Sequence, residues 1–232
     1  MAERAKSQVK SRDRVRDRGE VFTAEREVKA MVDLVDDMAT KVDCDGGTFL
    51  EPACGDGNFL IEILARKCAA LKKARKPNAK DAERYAFRLA WALSSLYGID
   101  IMSDNVRECR QRLADYVLAE FDKVVKGKDP GARKELEDAA RVITSINIVE
   151  GDALRYQTND GKPIVFVKWR AGEDNSRGTF SFGVTPYYFD TMAGESGSDG
   201  NLFAIRDNLP RSPQYPFYDI CKIEMFMKGI RL

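Results

Sequence analysis

Histidine is absent from all 232 residues. That excludes zinc sites built on imidazole and every Ser-His or Cys-His catalytic pairing. Any proton transfer falls to carboxylates, tyrosine, lysine, backbone or water. Cysteine is sparse: Cys44, Cys54, Cys68, Cys109 and Cys221, none spaced C-x-x-C. An odd number of isolated cysteines predicts free, mostly buried thiols and no disulfide framework. No metal site is expected. No apolar run approaches the roughly 18 to 20 residues that span a bilayer. The opening "MAERAKSQVKSRDRVRDR" has no apolar core, so it does not read as a secretory signal. The expectation is a cytoplasmic protein with no membrane partner.

Neither sign of charge dominates, with 38 Lys or Arg against 37 Asp or Glu. The distribution is uneven, however. Residues 1–18 hold seven Lys or Arg (Arg4, Lys6, Lys10, Arg12, Arg14, Arg16, Arg18) against Glu3, Asp13 and Asp17. A basic arm over 1–19 suits nucleic-acid phosphates. A solvated terminus is the alternative. Apolar residues at 44% and charged residues at 32% fit a globular protein. The length allows one sizeable domain with a small appendage.

"TAEREVKAMVDLVDDM" (23–38) predicts a helix capped by Thr23, with Val28, Met31, Val32 and Val35 in one apolar stripe. "GTFLEPA" reads as a short buried strand. "NFLIEILARKCAALKKARK" reads as a helix with Leu60, Ile63, Leu64, Cys68 and Leu71 inward. A helix over about 81–96 precedes the strand "LYGIDI". A long helix capped by Ser103 turns Val106, Leu113, Val117 and Phe121 inward. "ARKELEDAARVI" predicts another helix, "SINIVEGDAL" a third strand and "PIVFVKW" a fourth. Alternating strands and helices predict right-handed crossovers and a mostly parallel sheet. The fold expected over 20–170 is α/β, doubly wound and Rossmann-like. Residues 171–232, with "AGEDNSRG", "MAGESGSDGN" and prolines at 186, 210, 213 and 216, predict a loop-rich tail completing that domain.

In a doubly wound sheet, ligands sit at the carboxyl ends of the strands. Each of the first three strands ends on an acid: Glu51 and Asp56 around a glycine pair, then Asp100, then Asp152. Gly55 and Gly57 allow a sharp turn and close backbone approach. A tight structural turn is the plainer reading of that pair. "GDGNFL" has neither the lysine nor the third glycine of a phosphate loop. Acids oppose a polyphosphate and suit a cationic ligand with ribose hydroxyls. Asp100 is placed to accept from ribose, or to cap the helix that follows. Asp152 is placed to accept from an exocyclic amine. Together they describe an adenosine carrying a charged amino-acid tail.

"FLEPACGDGNFL" resembles motif I of class I S-adenosylmethionine-dependent methyltransferases, in the form found in N6-adenine DNA methyltransferases, the type of a restriction-modification M subunit. "YGIDIMSDNVRECRQRL" resembles their second motif and "NIVEGDAL" their third. "GEVFTAEREVKAMV" is similar to the Phe-Thr-Pro segment ahead of motif I, with Ala24 for the proline. The resemblance runs over about 18–168. It implies S-adenosylmethionine as cofactor. Phe22, Thr23, Glu51 and the Gly55–Gly57 loop, including Asp56, would touch its methionine end. Ala53, Asn58 and Ala153 would complete the lining. Asp100 would hold the ribose, Ile101 would pack on the adenine, and Asp152 would accept from its amine.

The family's catalytic motif is Asn, Asp or Ser, then Pro-Pro, then Tyr or Phe. Its polar groups accept from the target amine, and its aromatic ring stacks on a flipped base. The best match is Thr185-Pro186-Tyr187-Tyr188 in "FSFGVTPYYF", a degenerate copy; "SPQY" (212–215) is weaker. An aromatic strand edge without catalytic role is the other reading of that segment. The resemblance implies adenine-N6 methylation of DNA, or secondly of RNA, with a partner subunit supplying recognition. A second reading is an inactive accessory subunit that binds cofactor and nucleic acid. A third is a methyltransferase for protein or a small molecule.

Overall fold

The computed structural model describes residues 10–18, 21–34, 47–74, 81–174, 179–190 and 210–231. Two sheets organise them. In the first, β1 (Phe49–Glu51) pairs in parallel with β2 (Leu96–Asp100), and β2 pairs in parallel with β3 (Ile148–Asp152). A short β4 (Gln157–Thr158) closes an antiparallel hairpin on β3. Because Glu51 lies opposite Gly98 and Asp100 opposite Glu150, the three carboxyl ends share one rim.

Helices α1 (Arg12–Arg18) and α2 (Glu25–Asp33) precede this sheet. Helices α3 (Asn58–Ala74) and α4 (Ala82–Ser94) connect β1 to β2. Helices α5 (Ser103–Val125) and α6 (Pro130–Asn147) connect β2 to β3. Leu60, Ile63, Leu64, Cys68 and Leu71 of α3 are buried, as are Val106, Leu113, Val117 and Phe121 of α5. Both apolar stripes thus face inward as their 3.6-residue spacing predicts. Among the described residues, no helix is long and apolar enough to cross a membrane.

Local chemistry moved several element ends. The α2 cap position is Ala24, not Thr23; the Ala24 N–H donates to the Glu27 carboxylate at 3.1 Å. Val28 and Val32 are buried but Met31 is half exposed, and Val35 and the rest of 35–38 lie outside the described residues. Ser103 does not cap α5. Asp100, two residues before the Met102 cap position, accepts the Met102 N–H at 2.8 Å. Helix α6 starts at Pro130, where missing N–H groups are free of cost, and Asp129 accepts from the Ala132 N–H at 2.9 Å. It runs on to Asn147, so the third strand opens at Ile148.

The fourth expected strand departs most from the sequence reading. "PIVFVKW" becomes part of β5 (Val165–Asp174), which does not enter the parallel sheet. It forms an antiparallel hairpin with β6 (Thr179–Tyr188), and β7 (Tyr215–Pro216) adds to β6. An apolar run specifies burial but not the partner strand, and a hairpin partner a few residues away is cheap to close. Ala171–Asp174 of the supposed loop "AGEDNSRG" therefore belongs to β5. The tail is also more regular than expected, ending in helix α7 (Cys221–Arg231); "MAGESGSDGN" lies outside the described residues. The architecture is α/β with a mixed, mainly parallel sheet. Its order β1-β2-β3-β4 contains no reversal, so a doubly wound topology is not seen among the described residues.

Buried polar groups join the two sheets. Asn147 donates to Ser94 O and Leu96 O at 3.0 and 2.9 Å and accepts from the Trp169 indole at 2.9 Å. Tyr97 donates to Val167 O at 2.6 Å. Phe87 of α4 stacks on Phe180 and packs at a tilt against Phe182 of β6.

Candidate functional site

The shared rim of β1, β2 and β3 opens into a cavity of about 640 Å³. Ten of the twelve residues expected to touch a cofactor line it: Phe22, Thr23, Ala53, Gly55, Asp56, Asn58, Asp100, Ile101, Asp152 and Ala153. Its size lies in the usual range for small-molecule sites. Among the described residues, no lysine or arginine lines it. Glu51 and Gly57 do not line it either, and each has a shaping role instead. The Glu51 carboxylate accepts the Ala53 N–H at 3.2 Å. Gly57 has φ +91°, and a Cβ there would lie 2.7 Å from Cys109 Sγ.

Glycine at 55 has φ +53°, and a Cβ would meet the Phe22 ring at 3.0 Å. The residue therefore turns the chain and lets Phe22 press on the loop backbone. Asp100 holds this loop from the next strand. Its Oδ2 accepts the Gly55 N–H at 3.0 Å, and its Oδ1 accepts from Met102 N–H and Asn105 Nδ2 at 2.8 and 3.2 Å. A carboxylate has about four acceptor directions, so three bonds leave capacity for a ligand hydroxyl. The cap reading of Asp100 and the ligand reading are thus compatible.

Asp56 is only 1% exposed, and its carboxylate pairs with Arg112 at 2.9 Å. Arg112 also donates to Asp56 O and to Asn58 Oδ1. One guanidinium of α5 thereby fixes three acceptors of the glycine loop. Asp152 accepts the Leu154 and Arg155 N–H groups at 2.9 and 3.2 Å, which folds the third loop over the cavity edge. That places Leu154, 91% exposed, on the lining, and Val21 and Ile101 are likewise exposed there. The mouth is therefore apolar and open, while the acids sit below it.

Cys54 also lines the cavity. The neighbouring Cys109 thiol, and then burial, push its pKa upward. It is a neutral thiol, not a nucleophile.

Arg112 and Asn105 were not found by sequence reasoning. Both lie inside a regular helix, within the stretch that resembles the second motif, and their roles come from partners distant in sequence: the glycine loop for Arg112 and the N-terminal arm for Asn105.

Part of the basic arm is held against the protein. Residues 1–9 lie outside the described ones. Lys10 pairs with Asp104 and Glu108 at 3.2 and 2.8 Å, and Arg14 pairs with Asp104 at 2.5 Å. Burial alone would lower the Lys10 pKa, but Glu108 and Asp104 outweigh it and raise it. The Arg14 hydrogen bond, ahead of Lys10, lowers the Asp104 pKa to about 2. These two cations are docked on the start of α5, whereas Arg12 and Arg16 are exposed.

The expected catalytic segment is not at the cavity. Thr185, Pro186, Tyr187 and Tyr188 pair with Lys168, Val167, Phe166 and Val165 along β6. Thr185 and Tyr187 are 7% and 9% exposed, and none of the four lines the cavity. Pro186 is tolerated because β7 pairs β6 only at Ser181 and Phe182, leaving that edge without a ladder. "SPQY" has a packing role, with Ser212 Oγ accepting the Val184 N–H at 2.8 Å. Phe189, just past β6, meets Tyr156 edge-on, two residues beyond Leu154 of the lining. No family model, curated protein or solved structure matches the chain.

Proposed function

We propose that this chain is the S-adenosylmethionine-binding unit of a nucleic-acid methyltransferase of the adenine-N6 kind. The observation that carries this reading is the convergence of ten expected residues on one cavity at the ends of parallel strands. The donor set fits the ligand. Among the described residues the lining holds acids and no lysine or arginine, which suits a sulfonium with ribose hydroxyls better than a polyphosphate.

When bound, the cofactor would supply an electrophilic methyl group. The chain's own residues would do the holding. Asp100 would accept from ribose while keeping Gly55 in place. Asp152 would accept from the adenine amine, and Ile101 would cover the ring. Phe22 and Thr23 would close the methionine end. Methyl transfer to an amine needs little acid-base help, so a site without histidine is adequate. DNA is the expected acceptor, with RNA second, from the family resemblance and the exposed Arg12 and Arg16.

One observation favours a second reading. Thr185–Tyr188 are packed in β6 outside the cavity, so the chain could bind cofactor without transferring the methyl group itself. It would then be an accessory subunit of a larger enzyme. Incubation with tritiated S-adenosylmethionine and unmethylated DNA or RNA distinguishes the two. Saturable binding with label transfer supports the first reading. Binding without transfer supports the second, and absence of binding removes both.

A further inference from the structure

We propose that Asn105 is a positioning residue that carries the docking of the N-terminal arm to Asp100, making residues 10–16 a charge-held strap that braces the cavity's glycine loop. This inference rests on the cavity being a cofactor site. Asn105 is 1% exposed, in the first turn of α5, and lines the cavity. Its amide is used at both ends. Nδ2 donates to Asp100 Oδ1 at 3.2 Å, and Oδ1 accepts from Lys10 Nζ at 2.7 Å and Arg14 Nη2 at 3.2 Å. The orientation is dictated by its neighbours. Lysine and arginine only donate, and an ionised carboxylate only accepts. A flipped amide would set its NH2 against two cations and its oxygen against Asp100.

The chain of bonds continues past Asp100, whose Oδ2 holds the Gly55 N–H at 3.0 Å. A second contact reaches the same glycine. The Lys10 ammonium lies 5.7 Å from the Phe22 ring centre, and that ring packs on Gly55. The arm therefore bears on the glycine loop through Asn105–Asp100 and through Phe22. The strap's own anchors, Lys10 to Asp104 and Glu108 and Arg14 to Asp104, have side chains 19–39% exposed. Pairs at that depth feel dissolved salt, so the strap must weaken as ionic strength rises. An Asn105 that merely started a helix would hold Asp100 equally well with the arm removed.

The test uses the full chain and compares wild type, Lys10→Ala/Arg14→Ala, Asn105→Ala and Asn105→Asp. The first readout needs no ligand: hydrogen exchange at the Gly55 and Met102 amides. The second is the Kd for S-adenosylhomocysteine, whose zero net charge adds no salt dependence of its own. The double variant should exchange Gly55 and bind about threefold less well protected and less tightly, as for exposed ion pairs. Asn105→Ala should weaken binding about tenfold, from the loss of a hydrogen bond to a charged group. Asn105→Asp should be no better, since it cannot donate to Asp100. Raising salt from about 0.05 to about 0.5 M should weaken wild-type binding and leave the double variant unchanged. The double variant should still unfold in one cooperative transition, with Tm lowered by no more than a few degrees by the lost ion pairs, which separates strap loss from misfolding. Unchanged Gly55 exchange in the double variant, or equal salt dependence in both proteins, overturns the inference. If wild type binds no S-adenosylhomocysteine, the cofactor reading fails, and Gly55 exchange alone still decides the strap.

Discussion

At the ends of β1, β2 and β3, acids and glycines converge on open space. Along β5 and β6, polar and aromatic groups are consumed by packing. Asp100, Asp152 and Asn105 line the cavity, whereas Thr185 and Tyr187 pair into a buried ladder with Lys168 and Phe166. The difference follows from how each sheet is made. Parallel strands end together, so their loops must meet at one rim. A hairpin instead spends its side chains on neighbours along its own length. In this chain the first arrangement builds a cavity, and the second builds a wall.

Four changes sharpen or break this contrast. The largest effect is expected from Asp100→Ala, which removes both a ligand acceptor and the tether on Gly55. Cofactor affinity should fall by about a hundredfold, on the order of two lost hydrogen bonds to a charged group. Equilibrium dialysis reads this directly, and an affinity within threefold of wild type would break the cavity half of the comparison. Gly57→Ala comes next. Its strained φ and the Cys109 contact at 2.7 Å should cost about 1–3 kcal/mol. A fall of about 2–4 °C per kcal/mol in Tm is expected by scanning calorimetry.

Asn147→Ala acts on the joint instead. It strands Ser94 O, Leu96 O and the Trp169 indole, and should cost about 1–3 kcal/mol. Its cofactor affinity should stay within about twofold, measured at a temperature where the protein remains folded. A large affinity loss there would show that the two sheets do not act separately. The smallest effect concerns pH. The Asp104 pKa is lowered in the folded chain to about 2 from an ordinary 3.8. A lowered carboxyl pKa contributes stability above its unfolded value and loses it as pH falls through the folded one. Arm docking should therefore be complete above about pH 4 and fade toward pH 2. Exchange at the amides of 12–16 against pH follows that loss, and Asp104→Asn should remove the step.

Much of the cavity was legible because its signals are local. A strand running into glycines and acids, then an apolar helix, predicts a ligand loop from about ten residues. Asp100 and Asp152 repeat that logic at the next two strand ends. The buried stripes of α3 and α5 followed from their spacing. What stayed hidden was pairing at long range. "PIVFVKW" reads the same whether its partner is a parallel or an antiparallel strand. Arg112 reaches a loop more than 50 residues away, and Asn105 takes its second role from the arm about 90 residues before it. Nor does composition distinguish an arm held by Asp104 and Glu108 from one free for phosphates, since the matching acids lie about 90 residues on.

The central claim is that the rim of β1, β2 and β3 binds S-adenosylmethionine. Isothermal titration of the full chain with that cofactor tests it most directly, with Asp100→Ala and Thr185→Val beside the wild type. One saturable site per chain is expected, weakened about a hundredfold in Asp100→Ala and kept in Thr185→Val. No saturable heat in the wild type, or equal binding by Asp100→Ala, would contradict it.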